Sequence, residues 1–369
     1  MQQQNLTGQW QSVPPSTWHA VLNIDADRPN TARLLMFDRT MPTVWKHARL
    51  HHLVRQGNAV VGAADFSPYP DPFTPQSPPP TERVSGPVEL TLVSQHELVA
   101  NIYAPREHLR LGFVTLETET PSEPDHRYTW REFTQWVADH MTHDSPLIFR
   151  GHKKARYRLR TTLHRTGRRD LIRYEQEDLP ILKDYISSVS GRRYQLERRD
   201  DFHELLSLAQ HHGYPTPLLD WTESPFVAAY FAFQGIRQRR DATSDQCRIS
   251  VFNFEAYQRV AAAEQPALWS PALSLYIVRA ASLGTDRARP QQSVFMLANV
   301  VDIEALIIAT EEQAGEKDLD SLTTIDLPLS EARQGLDELR HMGITHASLF
   351  PGIDGVCHEL ADRFFSRRW

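Results

Sequence analysis

The hydrophobic pattern of this chain changes its period once, near residue 122, and that change excludes a single uniform fold. Upstream, apolar residues come in short β-branched and aromatic runs: Trp18 to Ile24, Ala32 to Phe37, Ala48 to Val54, Ala59 to Phe66, Val88 to Val93, Glu97 to Ile102 and Leu111 to Glu117. Turn residues separate them and no helical stripe crosses them, which predicts an antiparallel sandwich or small barrel over residues 1–122. Gly8-Gln9-Trp10 stands near the first strand, and its indole is expected to plug the core. Ser67 to Thr81 holds seven prolines and predicts an extended, polyproline-like loop between two strands.

The acidic linker Glu119 to His126 ends that region, and residues 123–369 read as a mixed α+β domain. Thr129-x-x-Glu132 is a capping box, followed at helical spacing by Trp130, Phe133, Trp136, Val137 and His140, so a helix runs from Thr129 to Thr142. Leu147-Ile148-Phe149-Arg150 is a short strand ending in Gly151. Helices are predicted from Asp170 to Val189 and from Asp200 to His212, the second stopped by Gly213. The strand Leu218 to Trp221 turns into a helix capped by Ser224 with Pro225 at its first position, its buried stripe being Phe226, Val227, Tyr230 and Phe231. Strands follow at Arg248 to Phe254, Ser274 to Ala280, Ser293 to Val300, Ala305 to Ala309 and Leu322 to Leu327. Helices at Ser330 to Met342 and Ile353 to Ser366 complete the pattern.

Several classes of chemistry are excluded. Two distant cysteines, Cys247 and Cys357, make neither a disulfide framework nor a four-thiolate zinc site, which fits a reducing, cytoplasmic location, and Cys357 reads as a core residue. The 17 histidines show no metal-ligand spacing, so no metal is expected. No basic leader and no run of about eighteen apolar residues predict a signal peptide or a membrane span.

The net charge of −6 hides a local excess of the opposite sign. Arg150 to Arg173 carries ten Lys or Arg against one acid, Asp170. Such a field suits a dinucleotide pyrophosphate, RNA or DNA, although a charge run is also the mark of an ordinary solvated face. Polar residues at strand ends are the candidate site: Arg150, then Asp220-Trp221-Thr222 ahead of a helix N-terminus, with Gln210-His211-His212-Gly213 upstream and Gln291-Gln292 before a later strand.

Phe149-Arg150-Gly151, the block Gln210 to Thr222, Pro225 with Ala228 to Ala232, Gln291 to Phe295 and Ser348 to Gly355 together resemble the FRG domain, over roughly residues 127–369. Pro217 stands where that family often has Arg, and Ser293 where it usually has Gly. The family is known mainly from bacterial and phage-linked proteins, so the resemblance implies a setting in phage defence or a toxin system. A weaker similarity, to arginine-class ADP-ribosyltransferases, rests on the order of Phe149-Arg150-Gly151, Asp220-Trp221-Thr222 with Phe226 to Ala232, and Gln291 to Leu297. It implies an ADP-ribosyltransferase-like fold with NAD as substrate. Phe149, Arg150 and Gly151 would then form the phosphate-binding strand, Thr222 would fix the ribose, and Trp221 or Tyr230 would stack on nicotinamide. Those transferases place a Glu where this chain has Gln291, Gln292 and Ser293, so Gln291 would orient the ribose and another acid would supply charge, Asp220 ahead of Glu223.

Three readings therefore stand at the level of sequence. The first is an NAD-dependent ADP-ribosyltransferase or NAD glycohydrolase. The second is a noncatalytic module binding a nucleotide, or nucleic acid through Arg150 to Arg173. The third is a metal-independent nuclease with His212 as general base oriented by Asp220. The β-rich domain would recognise a protein partner or sense a ligand.

Overall fold

Short amphipathic strands cannot bury an apolar face singly, and closing them on one another removes both edges. The computed structural model of the chain describes residues 6–13, 16, 18–38, 45–68, 84–94, 96–104, 106–113, 122–142, 145–234, 246–261, 273–279, 287–315 and 319–365. Its first eight strands form a closed antiparallel barrel: β1 (Gly8–Ser12), β2 (Trp18–Ile24), β3 (Ala32–Asp38), β4 (Trp45–Gln56), β5 (Ala59–Pro68), β6 (Val84–Ser94), β7 (Glu97–Tyr103) and β8 (Arg106–Phe113). Closure is made by β1 against β8, with Trp10 opposite Phe113 and Ser12 opposite Leu111. Inward residues Trp10, Leu22, Leu34, Met36, Leu50 and Leu90 are each at most 1% exposed, so side chains fill the interior and Trp10 is the expected plug. β8 begins five residues earlier than the pattern of apolar residues predicts. Glu107 on its inward face, paired to Lys46, breaks the apolar alternation, while outward Arg110 pairs with Glu97. The proline run lies between β5 and β6 as expected, residues 69–83 being outside the described ones.

The second region is built on a seven-stranded sheet. In chain order its elements are β9 (His126–Arg127), α1 (Trp130–His140), β10 (Leu147–His152), α2 (Thr162–Arg165), α3 (Leu171–Arg173), a π turn (Tyr174–Asp178), α4 (Leu179–Ser190), α5 (Arg199–His211), β11 (Leu218–Thr222) and α6 (Pro225–Phe233). β12 (Gln246–Asn253), α7 (Phe254–Val260), β13 (Leu275–Val278), β14 (Ser293–Ala298), α8 (Ile303–Ala314), β15 (Leu322–Pro328), α9 (Ala332–His341), α10 (His346–Leu349) and α11 (Ile353–Phe365) follow. The strand order is β13-β14-β11-β10-β12-β15-β9, antiparallel except for β9 on β15. One core joins Trp130 and Phe133 of α1 to Phe149, Phe233 of α6 and Leu339 of α9. A second core contains Ile148, Trp221, Phe252, Tyr257 of α7 and Ile303 of α8. No helix among the described residues is long and apolar enough to cross a membrane.

The Thr129–Glu132 capping box and the Ser224 cap are both present. Four expectations are corrected. Ala305 to Ala309 is helical, inside α8, because Asp302 accepts from Ala305 N as an N-cap and a short apolar run carries no period of its own. On α6, Phe226 and Phe231 are only partly buried, while Ala228, Ala229 and Ala232 form the tightly packed face. The helix begun at Leu171 passes through the π turn rather than running straight to α4. Cys357 is exposed on α11, not in the core.

The barrel docks on the mixed domain through polar contacts. Asp25, 4% exposed at the end of β2, accepts from the backbone N–H groups of Arg169 and Asp170 and pairs with Arg173 at 2.8 Å. Arg173 also holds Asp27 at 2.9 Å, and Arg33 of β3 reaches Asp170 at 3.2 Å. Gln9 of β1 donates to Asn299 O and accepts from Val301 N. Leu35, pointing outward between inward Leu34 and Met36, joins the mixed domain's core beside Leu163 and Ile172.

Candidate functional site

Strands β10 and β11 register at one pair among the described residues, Phe149 with Thr222. Beyond it β10 continues along β12 and β11 along β14, so the two halves of the sheet part. Arg150, the next residue of β10, stands at the parting. Its Nε donates to His152 Nε2 at 3.0 Å, one Nη donates to Asp220 O, and the same Nη lies 3.9 Å from Asp220 Oδ2. Burial pushes the Arg150 guanidinium down to about 10, opposed by Asp220 and reinforced by Arg165. His152 is held well below the usual imidazole range by burial first and then by Arg150, Arg165 and Arg248. A neutral ring is what lets Nε2 accept from the guanidinium.

A cleft of about 1020 Å³ opens at this parting. Seven Lys or Arg line it: Arg150, Lys153, Arg156, Arg158, Arg160 and Arg165 from one segment, and Arg287 from another. Asp220 is the single carboxylate among its lining residues. Arg158 is neutralised behind the surface by Asp302 at 2.6 Å and Glu304 at 3.2 Å. Phe350 adds an aromatic wall, stacked on His346 with ring centres 4.5 Å apart, with the Arg287 guanidinium 5.2 Å from its centre.

Neighbouring polar groups fix the site residues. Gln210 Nε2 donates to Asp220 Oδ1 at 2.7 Å, and its Oε1 accepts from Thr216. Thr222 Oγ1 donates to Gln291 O at 2.7 Å, and Gln291 Nε2 donates to Leu349 O at 2.9 Å. The chain from β11 to β14 and α10 is thereby tied into one wall.

Of the residues predicted from sequence, Phe149, Arg150, Gly151, Asp220, Trp221, Thr222 and Gln291 all line this cleft. Several do so in a different capacity from the one expected. Phe149 is fully buried in the core. A Cβ on Gly151 would fall 1.9 Å from Ala228 O, so glycine there admits the backbone of α6 rather than a ligand. Trp221 is 3% exposed and packs on Phe252, which places its ring in the sheet core and leaves no free face for stacking. The amide nitrogen of Gln291 is committed to Leu349 O instead of a ribose.

Two predicted residues are not brought in. Tyr230 does not line the cleft: it lies on the α6 face of the sheet, 6% exposed, with its hydroxyl 3.0 Å from His346 Nδ1. His212 caps the C-terminus of α5, and the group that Asp220 holds is Gln210, so the His212–Asp220 pair required by a nuclease reading is not formed. Glu223 is likewise absent from the lining and pairs with Arg279 at 3.4 Å. The basic stretch is not one face either: Arg168 and Arg173 turn to Asp25 of the barrel.

Sequence reasoning missed His152, although i and i+2 on a strand share a face and Arg150 was already singled out. It passed over Gln210 in favour of the histidines beside it. Phe350 was part of the resembling block without an assigned role, and nothing local marks Arg287.

The arrangement can hold a phosphate-bearing ligand in a positive field and present one carboxylate at its edge. No curated protein and no solved structure matches the chain. Residues 145–241, the span from the approach to β10 past α6 that contributes Arg150, Gln210 and Asp220, match the family model of the FRG domain, so the C-terminal part of this chain carries an FRG domain.

Proposed function

We propose that the cleft binds NAD and that the FRG domain acts on its nicotinamide–ribose bond, as an ADP-ribosyltransferase or NAD glycohydrolase of a bacterial defence or toxin system. The observation that carries this reading is the pairing of one carboxylate, Asp220, with a cleft otherwise lined by cations at the parting of β10 and β11. Arg150 and its neighbours would hold the pyrophosphate. As the bond from ribose C1′ to the pyridinium nitrogen breaks, its electron pair leaves with nicotinamide, positive charge develops on the ribose, and Asp220 stabilises it. Water or an acceptor then adds to C1′ and loses its proton.

The test is nicotinamide release from NAD by wild type, Arg150→Ala and Asp220→Asn, each shown folded by circular dichroism. Both variants are expected to lose about 10²–10³-fold. Wild type that releases nothing and gains no thermal stability from NAD would sink the reading. A specific observation favours a noncatalytic alternative: seven cations face a single acid, and Gln291 is committed elsewhere. Stabilisation by NAD without nicotinamide release would select it.

A further inference from the structure

A pyrophosphate carries two negative charges, fewer than the cleft is equipped to meet. Arg158 is paired to Asp302 and Glu304, and Arg150 stands beside Asp220. Arg156, Arg160, Arg165 and Arg287 form no ion pair among the described residues. Four such cations around one cleft repel each other, and the surplus matches a ligand with more phosphates than a dinucleotide.

The surplus is grouped with an exposed aromatic ring. Tyr157 lines the cleft and is 46% exposed, next to exposed Arg156, with Lys154 Nζ 6.0 Å from its ring centre. The backbone of this segment is fixed on both sides. Ala155 N donates to Gln246 O of β12 at 2.9 Å, Tyr157 N donates to Lys154 O at 3.1 Å, and Leu159 N donates to Glu304 at 3.0 Å behind the Arg158–Asp302 pair. The ring therefore stands out from a pinned turn, at low entropic cost to a ligand that covers it. An aromatic platform beside a track of unpaired cations is how proteins hold single strands: phosphates follow the charge and a base stacks on the ring. A duplex offers no such base.

We propose that the edge of the cleft formed by Arg156 and Tyr157, with Lys154 beside that ring, binds single-stranded nucleic acid, with Arg160 and Arg165 continuing the phosphate track. The proposal goes beyond NAD cleavage and stands without it, because strand binding is measured with no NAD present.

The experiment titrates full-length protein into a fluorescent oligo(dT) of about 16 nucleotides. Affinity is expected to fall linearly on a log–log plot between about 50 and 200 mM salt. Tyr157→Ala should bind about tenfold more weakly and Tyr157→Trp should bind as wild type, which separates stacking from a folding defect. Arg156→Ala should reduce the salt slope by about one. Unchanged affinity in Tyr157→Ala overturns the proposal. So does displacement of the strand by inorganic tripolyphosphate at equal phosphate concentration, or a duplex that binds as tightly. Nicotinamide release by a protein that binds no strand would remove this inference and leave the NAD reading in place.

Discussion

The two halves of the basic segment Arg150 to Arg173 are both rich in arginine and have opposite fates. Arg150, Lys153, Arg156, Arg158, Arg160 and Arg165 line the cleft, where the one carboxylate is Asp220. Arg168 and Arg173, a few residues on, meet Asp25, Asp27, Asp178 and Glu177 and hold the barrel to the mixed domain. A run of arginine becomes a clamp where the opposing element supplies acids and a binding surface where it does not. The first use favours stability and the second opposes it, since cations held close together without counter-charge repel. Substitutions on the two halves should therefore move stability in opposite directions.

The largest effect is expected at the clamp. Asp25 is 4% exposed and satisfies two backbone N–H groups as well as Arg173. Asp25→Ala leaves those two backbone donors without a partner and takes one carboxylate from the Arg173 guanidinium, which keeps Asp27 and Glu177, and it should lower unfolding stability by about 3–5 kcal/mol, read from denaturant melts. A loss under about 1 kcal/mol would mean that the clamp is solvated and that the comparison fails on this side.

The cleft should respond with the other sign. The folded state depresses the Arg150 guanidinium to about 10, so from that pH downward it carries a charge it disfavours; removing the charge relieves the penalty. Arg150→Met should raise stability at neutral pH by about 1–3 kcal/mol while abolishing NAD turnover. A variant that is both inactive and destabilised would place Arg150 with the clamp residues as a structural group.

How much of this was legible in the sequence follows the range of the interactions involved. Alternation exposed the barrel and its plug Trp10, because a strand's inward face is a local property. Arg150 and Asp220 were legible because a polar residue following an apolar run is an exception to a local pattern, although each strand runs two residues past it. What joins them was not. The parting of β10 from β11 depends on each strand's other neighbour, β12 and β14, which are far away in sequence. Likewise nothing within Arg150 to Arg173 says that Arg173 will find Asp25, 148 residues upstream, while Arg165 will not. Composition gave the charge, and topology decided which half would be neutralised. Tyr230 misled for the same reason. Its place on α6 was read correctly, but helical period alone does not say which residues of that helix meet the cleft: Ala228 and Phe231 line it, while Tyr230 reaches His346.

The smallest effect comes from the one acid on the clamp side that no cation among the described residues reaches. Glu175 sits in the π turn between Arg173 and Glu177, its Oε2 buried with no hydrogen-bond partner among the described residues, and burial raises its carboxyl to about 7. Between about pH 4.5 and 7 the folded state then binds a proton that the unfolded chain has released, so stability is present below the unfolded pKa and is lost as pH rises through the folded one. Glu175→Gln should remove that loss. It should unfold with the same stability as wild type at about pH 4 and with about 1–2 kcal/mol more at about pH 8, less than the full displacement implies because the side chain keeps some contact with water. Urea melts at the two pH values read it directly. A variant less stable than wild type at about pH 8, with the gap closing toward acid pH, would instead show that Glu175 is ionised and paired in the folded protein, which would make every acid around Arg173 part of the clamp and sharpen the contrast with the cleft, where cations are in excess.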